Sequence, residues 1–344
     1  MKNIVFIDIT KGIGIVLVIC SHACYPLMTW ASLFYIPIFF VVSGYCTTRE
    51  VRISEKLWKL IIPYFLFTLF ALLLSKEITI NDIIGALYGR WSLYPYNNKE
   101  NILFLQVGNG PLWFLPSMFT AFCYYKFAHT DTLHTNVITW FITYLIITYL
   151  LSFVPILLPW SLDTAPLFAL FILEGVIIRK YSLMDKMSIP SIIVLVCLYA
   201  IFRYYTWSVN LSIRYYGRSL FLLFPGASIG CILTLFFAKM IETNRIAKIL
   251  SEIGKKSLSI FCIHWPFIFI SKDILRHINI DENTIFYNII HILLILLITY
   301  PIALIIDTFL IKPIYSINPF KKSTNTFNQD NVKCNLPNEN KLHS

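Results

Sequence analysis

Apolar residues run along this chain in blocks of about 15 to 22, each bounded by a short polar or charged stretch. Runs of that length are too long for strands and match the thickness of a bilayer. They fall near residues 4–27, 31–48, 60–75, 111–128, 137–155, 162–178, 189–207, 219–238, 257–271 and 285–306. The pattern predicts an all-α, polytopic membrane protein with about ten transmembrane helices. Residues 1–310 form one integral-membrane domain on this reading. Residues 311–344, rich in Asn, Lys and Ser, are expected to be a disordered cytoplasmic tail. The longest polar stretch between spans is 76–110, and no internal repeat is visible.

Composition agrees with a bilayer as the solvent and principal partner. Of the 344 residues, 57% are hydrophobic and only 13% charged, and mean hydropathy is +0.69, whereas soluble domains carry about a quarter charged residues. A net charge of +10 raises the question of nucleic acid, which the distribution of that charge answers. Basic residues gather in alternate loops: Arg49 to Lys59, Arg179 to Lys186, Lys239 to Lys256, and the tail. Counting Lys2, Lys11 and Lys126 with them, 20 of the 28 Lys and Arg fall on one side. That asymmetry is the positive-inside signature and predicts both termini in the cytoplasm, with no nucleic-acid partner. The eight cysteines are scattered without a Cys-x-x-Cys pair, which argues against a disulfide framework or a zinc site. Cys20, His22 and Cys24 do not form a metal cluster on a helix, because His22 points about 200° away from Cys20. No metal is expected.

Candidate chemistry is concentrated in the first span, where Asp8, Lys11 and His22 interrupt an otherwise apolar helix. Lys11 and His22 are eleven positions apart, which places them roughly 20° apart in azimuth and about 16 Å apart in height. Asp8 lies on the same stripe, roughly 40° from His22. Ionisable groups at membrane depth are costly and mark functional sites by default. His22 is a candidate general base. Lys11 is a candidate partner for a phosphate-bearing ligand, with Asp8 setting its charge and rotamer through an i, i+3 ion pair. Ser43-Gly44 in the second span suits close helix packing or a ligand-facing position. Trp113 opens the fourth span as an interfacial anchor or a cavity wall. Asp163 begins the sixth, where it also complements the helix dipole. Arg203 is a buried cation near the end of the seventh, able to snorkel. In the ninth, Gly254-Lys-Lys-Ser257 reads as an anion-binding helix entry with His264 about 10 Å beyond it.

The opening pattern Asp8-x-x-Lys11-Gly12-Ile13, with His22 following Lys11 after ten intervening residues, resembles the signature of the acyltransferase-3 family of integral-membrane O-acyltransferases. The nearest subgroup is the fucose-4-O-acetylase-like enzymes. The resemblance continues in order through Ile36-Pro-Ile-Phe-Phe-Val-Val-Ser-Gly-Tyr45, Lys59-Leu-Ile-Ile-Pro-Tyr64, Gly110-Pro-Leu-Trp-Phe-Leu115, the stretch from Asp163 to Gly175, and Ile253-Gly-Lys-Lys-Ser-Leu258 up to His264. Ser21, Asn3 and Lys256 depart from the residues usual at those places. The resemblance implies a multi-pass enzyme of the bacterial cytoplasmic membrane. It would move an acetyl group from cytoplasmic acetyl-CoA to a sugar hydroxyl of a surface polysaccharide or lipid-linked glycan. His22 and Asp8 would be catalytic, Lys11 and Ser43 would hold the donor, and Trp113, Asp163, Arg203 and His264 would line the acceptor cavity. The competing expectation is a transporter or flippase that uses the same polar stripe as a substrate path.

Overall fold

The computed structural model describes residues 5–23, 28–47, 50–75, 77–95, 110–128, 133–278, 280–282 and 284–320. Cys24 and most of the tail lie outside them. The helices in chain order are α1 (Val5–Ala23), α2 (Pro37–Tyr45), α3 (Ile53–Leu73), α4 (Ile80–Tyr88), α5 (Phe114–Ala128), α6 (Leu133–Leu151), α7 (Ala165–Lys180), α8 (Leu183–Lys186), α9 (Ile189–Thr206), α10 (Leu220–Met240), α11 (Arg245–Lys255), α12 (Ser257–His277), α13 (Ile285–Ile306) and α14 (Lys312–Ile317). Among the described residues there is no strand, only an isolated bridge between Asn210 and Tyr215. The fold is all-α. Seven of its helical segments are long and apolar enough to cross a bilayer.

The segment expected at 31–48 is not one helix. Residues 29–36 are turns, and α2 occupies only Pro37–Tyr45. Proline at the first helical position suits a helix start there, since its missing N–H needs no intrahelical partner. Carbonyls in the turns before it find side-chain donors: Tyr199 donates to Trp30 O and Arg203 Nε to Thr29 O. Irregular backbone at membrane depth persists only where it is enclosed by protein and satisfied in this way. The ninth span is longer than its apolar run suggests, since α12 continues through Pro266 to His277. The tail starts in order: after a π-turn at Asp307–Ile311, α14 lies against α3, with Trp58 Nε1 donating to Ile314 O at 2.7 Å.

Two close helix crossings set the interior. Where α11 meets α1, a Cβ on Gly254 would lie 1.8 Å from Asp8 O, and one on Gly12 would lie 2.0 Å from Leu250 O. Where α2 meets α7, a Cβ on Gly44 or Gly175 would fall 1.9 Å from a carbonyl oxygen of the facing helix. Backbones in contact at these distances leave no room for any side chain. Gly254 therefore serves packing, contrary to the anion-entry expectation. The neighbouring lysines are already paired: Lys255 with Glu252 at 2.6 Å, and Lys256 with Asp307 at 2.6 Å. Phe40 stacks on Phe168 at 4.2 Å beside the α2–α7 crossing. On the periphery, Ile189, Ile193, Val194 and Ile201 of α9 are exposed, as a lipid-facing helix requires.

Gly254→Ala should lower stability by ~1–3 kcal/mol or more, as overpacking against backbone does. Lys255→Ala should stay within ~0.5 kcal/mol, because an exposed i, i+3 pair contributes little. Thermal midpoints of the purified proteins in one detergent test both.

Candidate active site

The polar stripe of α1 has two ends in different surroundings. At one end Lys11 Nζ contacts Asp8 Oδ1 at 2.8 Å. The carboxylate side chain is 11% exposed and the lysine side chain 30%, so the pair is anchored on its acidic side and accessible on its basic side. Lys11, Arg179 and Lys56 surround Cys46 at charge–charge range. Arg179 Nη1 donates to Tyr45 O at 3.1 Å, and Lys56 Nζ sits 3.5 Å over the Phe122 ring. This end is a basic cluster with one close carboxylate.

At the other end His22 opens into a cavity of about 670 Å³. Although it sits in a membrane helix, its side chain is accessible, because the cavity reaches it. Trp113 and Arg203 line the same space, together with Tyr35, Trp91, Trp207, Asn210, Ser212, Tyr215 and Trp265. Among the described lining residues Arg203 alone carries a fixed charge. Its Nη1 donates to Trp207 O at 2.8 Å and its Nε to Thr29 O, so it ties two segments of the cavity wall together. The aromatic rings offer flat apolar faces. The hydroxyls and the amide offer hydrogen-bond partners between them.

His264 packs against His22, with ring centroids 5.6 Å apart, and Trp265 meets His22 edge to face at 5.0 Å. His264 is fully buried, and its Nδ1 lies 2.8 Å from Phe261 O. A carbonyl at that distance requires a proton on Nδ1, which leaves Nε2 as an acceptor. Among the described residues Nε2 has no hydrogen-bond partner.

The other two singled-out residues lie elsewhere. Ser43 Oγ is 3.7 Å from Met118 Sδ on α5 and does not line the cavity. Asp163 is wholly buried outside it, held between Arg90 and Arg214: Arg90 Nη2 donates to Oδ1, and Arg214 Nη1 donates to Oδ2 at 2.9 Å. Arg90 also donates to Ser212 O at 2.7 Å and Leu158 O at 3.2 Å, and Arg214 to Ile156 O at 3.1 Å. Three segments distant in sequence are thereby joined behind the cavity wall that carries Trp91, Ser212 and Tyr215. Burial, with Asp163 nearby, raises the Tyr216 phenol above its ordinary pKa, so that group stays neutral beside the cluster. Neither arginine stands out in the sequence, because each lies in a polar loop without helical periodicity. The tryptophans at 91, 207 and 265 are likewise indistinguishable, by sequence, from interfacial anchors.

The model of the acyltransferase domain that defines the acyltransferase-3 family matches residues 4–308. The chain belongs to the acyltransferase-3 family. No curated protein and no solved structure matches it. The matched region contains both ends of the α1 stripe, the cavity and the Asp163 cluster, and stops at the π-turn before α14. This membrane acyltransferase therefore has every residue of the candidate site within its family domain.

Asp163→Asn should cost roughly 3–5 kcal/mol, because it leaves two buried guanidinium groups facing a neutral amide. His22→Ala, which empties a position already facing a cavity, should leave the midpoint nearly unchanged. Thermal unfolding of the two variants in detergent tests that contrast.

Proposed function

We propose that the enzyme transfers an acetyl group from cytoplasmic acetyl-CoA to a sugar hydroxyl held in the cavity at the far end of α1. The observation that carries this reading is the arrangement of one helix face: a basic cluster around Lys11, then about 16 Å of apolar helix, then an accessible histidine in an aromatic cavity. The positive-inside pattern puts the Lys11 end in the cytoplasm. Lys11, Arg179 and Lys56 suit the phosphates of a coenzyme A thioester, which are polyanionic. Asp8 holds Lys11 in place without cancelling its exposed side. Tryptophan faces beside Ser, Asn and Tyr side chains suit a sugar ring, whose C–H face is apolar and whose edge is hydroxylated.

His22 acts as the general base on this reading. The sugar oxygen attacks the thioester carbonyl as His22 takes its proton. The ester C–O bond forms, the C–S bond breaks, and the imidazolium returns the proton to the departing thiolate. A lipid-linked or surface glycan of a bacterial cytoplasmic membrane supplies the acceptor, as the fucose-4-O-acetylase-like resemblance suggests. Ser43, which contacts Met118, lies at the donor end of this arrangement.

Mass spectrometry of surface glycans from wild-type, deletion and His22→Ala strains at matched protein abundance tests the reading. Wild type should carry the mass of one acetyl group on its repeat unit, and the other two should lack it. With purified enzyme, His22→Ala should lower transfer by about 10²–10⁴-fold, while Lys11→Ala should act mainly on the KM for acetyl-CoA. Full modification by His22→Ala would remove the histidine from the mechanism. Identical glycans in all three strains, with no release of CoA thiol by the membranes, would favour transport.

A further inference from the structure

The two ends of the α1 stripe are separated by a layer of aromatic rings at Gly14. The cavity reaches inward as far as Val18 of α1 and Ile36 beside α2, and its wall includes neither Gly14, Phe39 nor Phe114. A Cβ on Gly14 would lie 2.9 Å from Phe39 Cζ, so the tip of that ring rests on the α1 backbone. The Phe39 ring meets Phe114 edge to face at 5.7 Å. Three segments give the same order in depth. On α1 the order is His22 and Val18 at the cavity, Gly14 in the layer, and Lys11 beyond it. Along α2 it is Ile36 at the cavity, Phe39 in the layer, and Ser43 beyond. In the stretch that leads into α5 it is Trp113 at the cavity, Phe114 in the layer, and Met118 against Ser43.

The direct route along α1 from Lys11 to His22 passes this layer. The charged nucleotide of a cytoplasmic thioester has partners at the Lys11 end and none among aromatic rings, whereas its amide-linked arm is uncharged. That arm is about as long as four or five extended residues, ~15 Å, close to the ~16 Å from Lys11 to His22. Phe39 is only partly buried, and its ring is held by edge contacts and by the absence of a side chain at Gly14. Rotation of one aromatic side chain costs little compared with a shift of the helices around it.

We propose that Phe39, seated on Gly14 and against Phe114, is the gate between the donor end and the acceptor cavity, closing over the α1 face and turning aside for the uncharged arm of the thioester. The gate rests on the donor and acceptor assignment made above. It explains why a helix stripe that is polar at both ends is apolar in the middle and packed there against an aromatic ring: an open path would admit water to the thioester and leak ions across the bilayer.

Two measurements on the full-length protein test the gate independently. The first is release of CoA thiol from acetyl-CoA with and without acceptor. Phe39→Ala should raise acceptor-independent release at least about tenfold by admitting water, with acceptor-dependent transfer retained. Gly14→Ala should slow transfer by pushing a methyl into the ring, and Phe39→Leu in the same chain should restore it. A merely structural role would lower both activities together and give no rescue, which would overturn the proposal. The second uses His22→Cys in a chain freed of the eight native cysteines, reconstituted in sealed vesicles and treated with a charged methanethiosulfonate from either side. Labelling should come from the cavity side alone with Phe39 present, and from both sides with Phe39→Ala. Labelling from both sides with Phe39 present, or from one side in both proteins, would overturn the gate. If the labelling switches but no acyl-CoA is consumed, the gate stands and the donor assignment falls.

Discussion

Backbone-to-backbone contact at two helix crossings is the constraint on which the rest of this structure depends. Lipid supplies no hydrophobic drive for one apolar helix to seek another, so association must come from close packing. Gly12 with Gly254 brings α1 against α11, and Gly44 with Gly175 brings α2 against α7. These contacts put α1 in the interior, and its charged stripe faces protein and cavity instead of acyl chains. They also bring the broken segment before α2 beside α1, where its turns form part of the cavity wall.

Charges inside the fold divide by how completely they are satisfied. Asp163 has no exposed surface, and its two oxygens meet two arginines that in turn reach backbone carbonyls of two segments, 154–158 and the one holding Ser212. A group so enclosed holds structure together and has nothing left to offer a ligand. The Asp8–Lys11 pair is the opposite case, since the lysine keeps nearly a third of its side chain exposed. Asp307 behaves like Asp163 on a smaller scale, pairing with Lys256 and Lys312 where α13 gives way to α14. The difference between a clamp and a site is thus visible as residual exposure of the charged atoms.

The division of the interior is what the proposed transfer requires. A polyanionic donor and a polyhydroxyl acceptor, as proposed above, would ask for different surroundings, and one helix has a basic cluster at one end and an aromatic cavity at the other. The histidine pair at the cavity adds a fixed tautomer: with His264 Nδ1 committed to Phe261 O, its other nitrogen faces the interior as an acceptor beside His22. The aromatic layer at Gly14 keeps the two surroundings apart.

Much of this was determined by sequence alone, wherever the relevant information is local. Helical periodicity placed Asp8, Lys11 and His22 on one face, block lengths marked an all-α membrane protein though not the helix within 31–48, and the ordered short motifs pointed to the acyltransferase-3 family. Periodicity is a property of one segment, so it could not reveal which segments touch. The pairing of His22 with His264, the shared cavity of Trp113 and Arg203, and the burial of Asp163 between Arg90 and Arg214, 73 and 51 residues away, arise only when helices pack. The same holds for Gly254, whose lysine-rich context suggested an anion site and whose missing side chain instead admits the backbone of α1. Which glycines meet a facing helix, and so which side chains end in a cavity and which in a clamp, was decided by the tertiary structure, because helix contacts depend on shape at places the local pattern does not record.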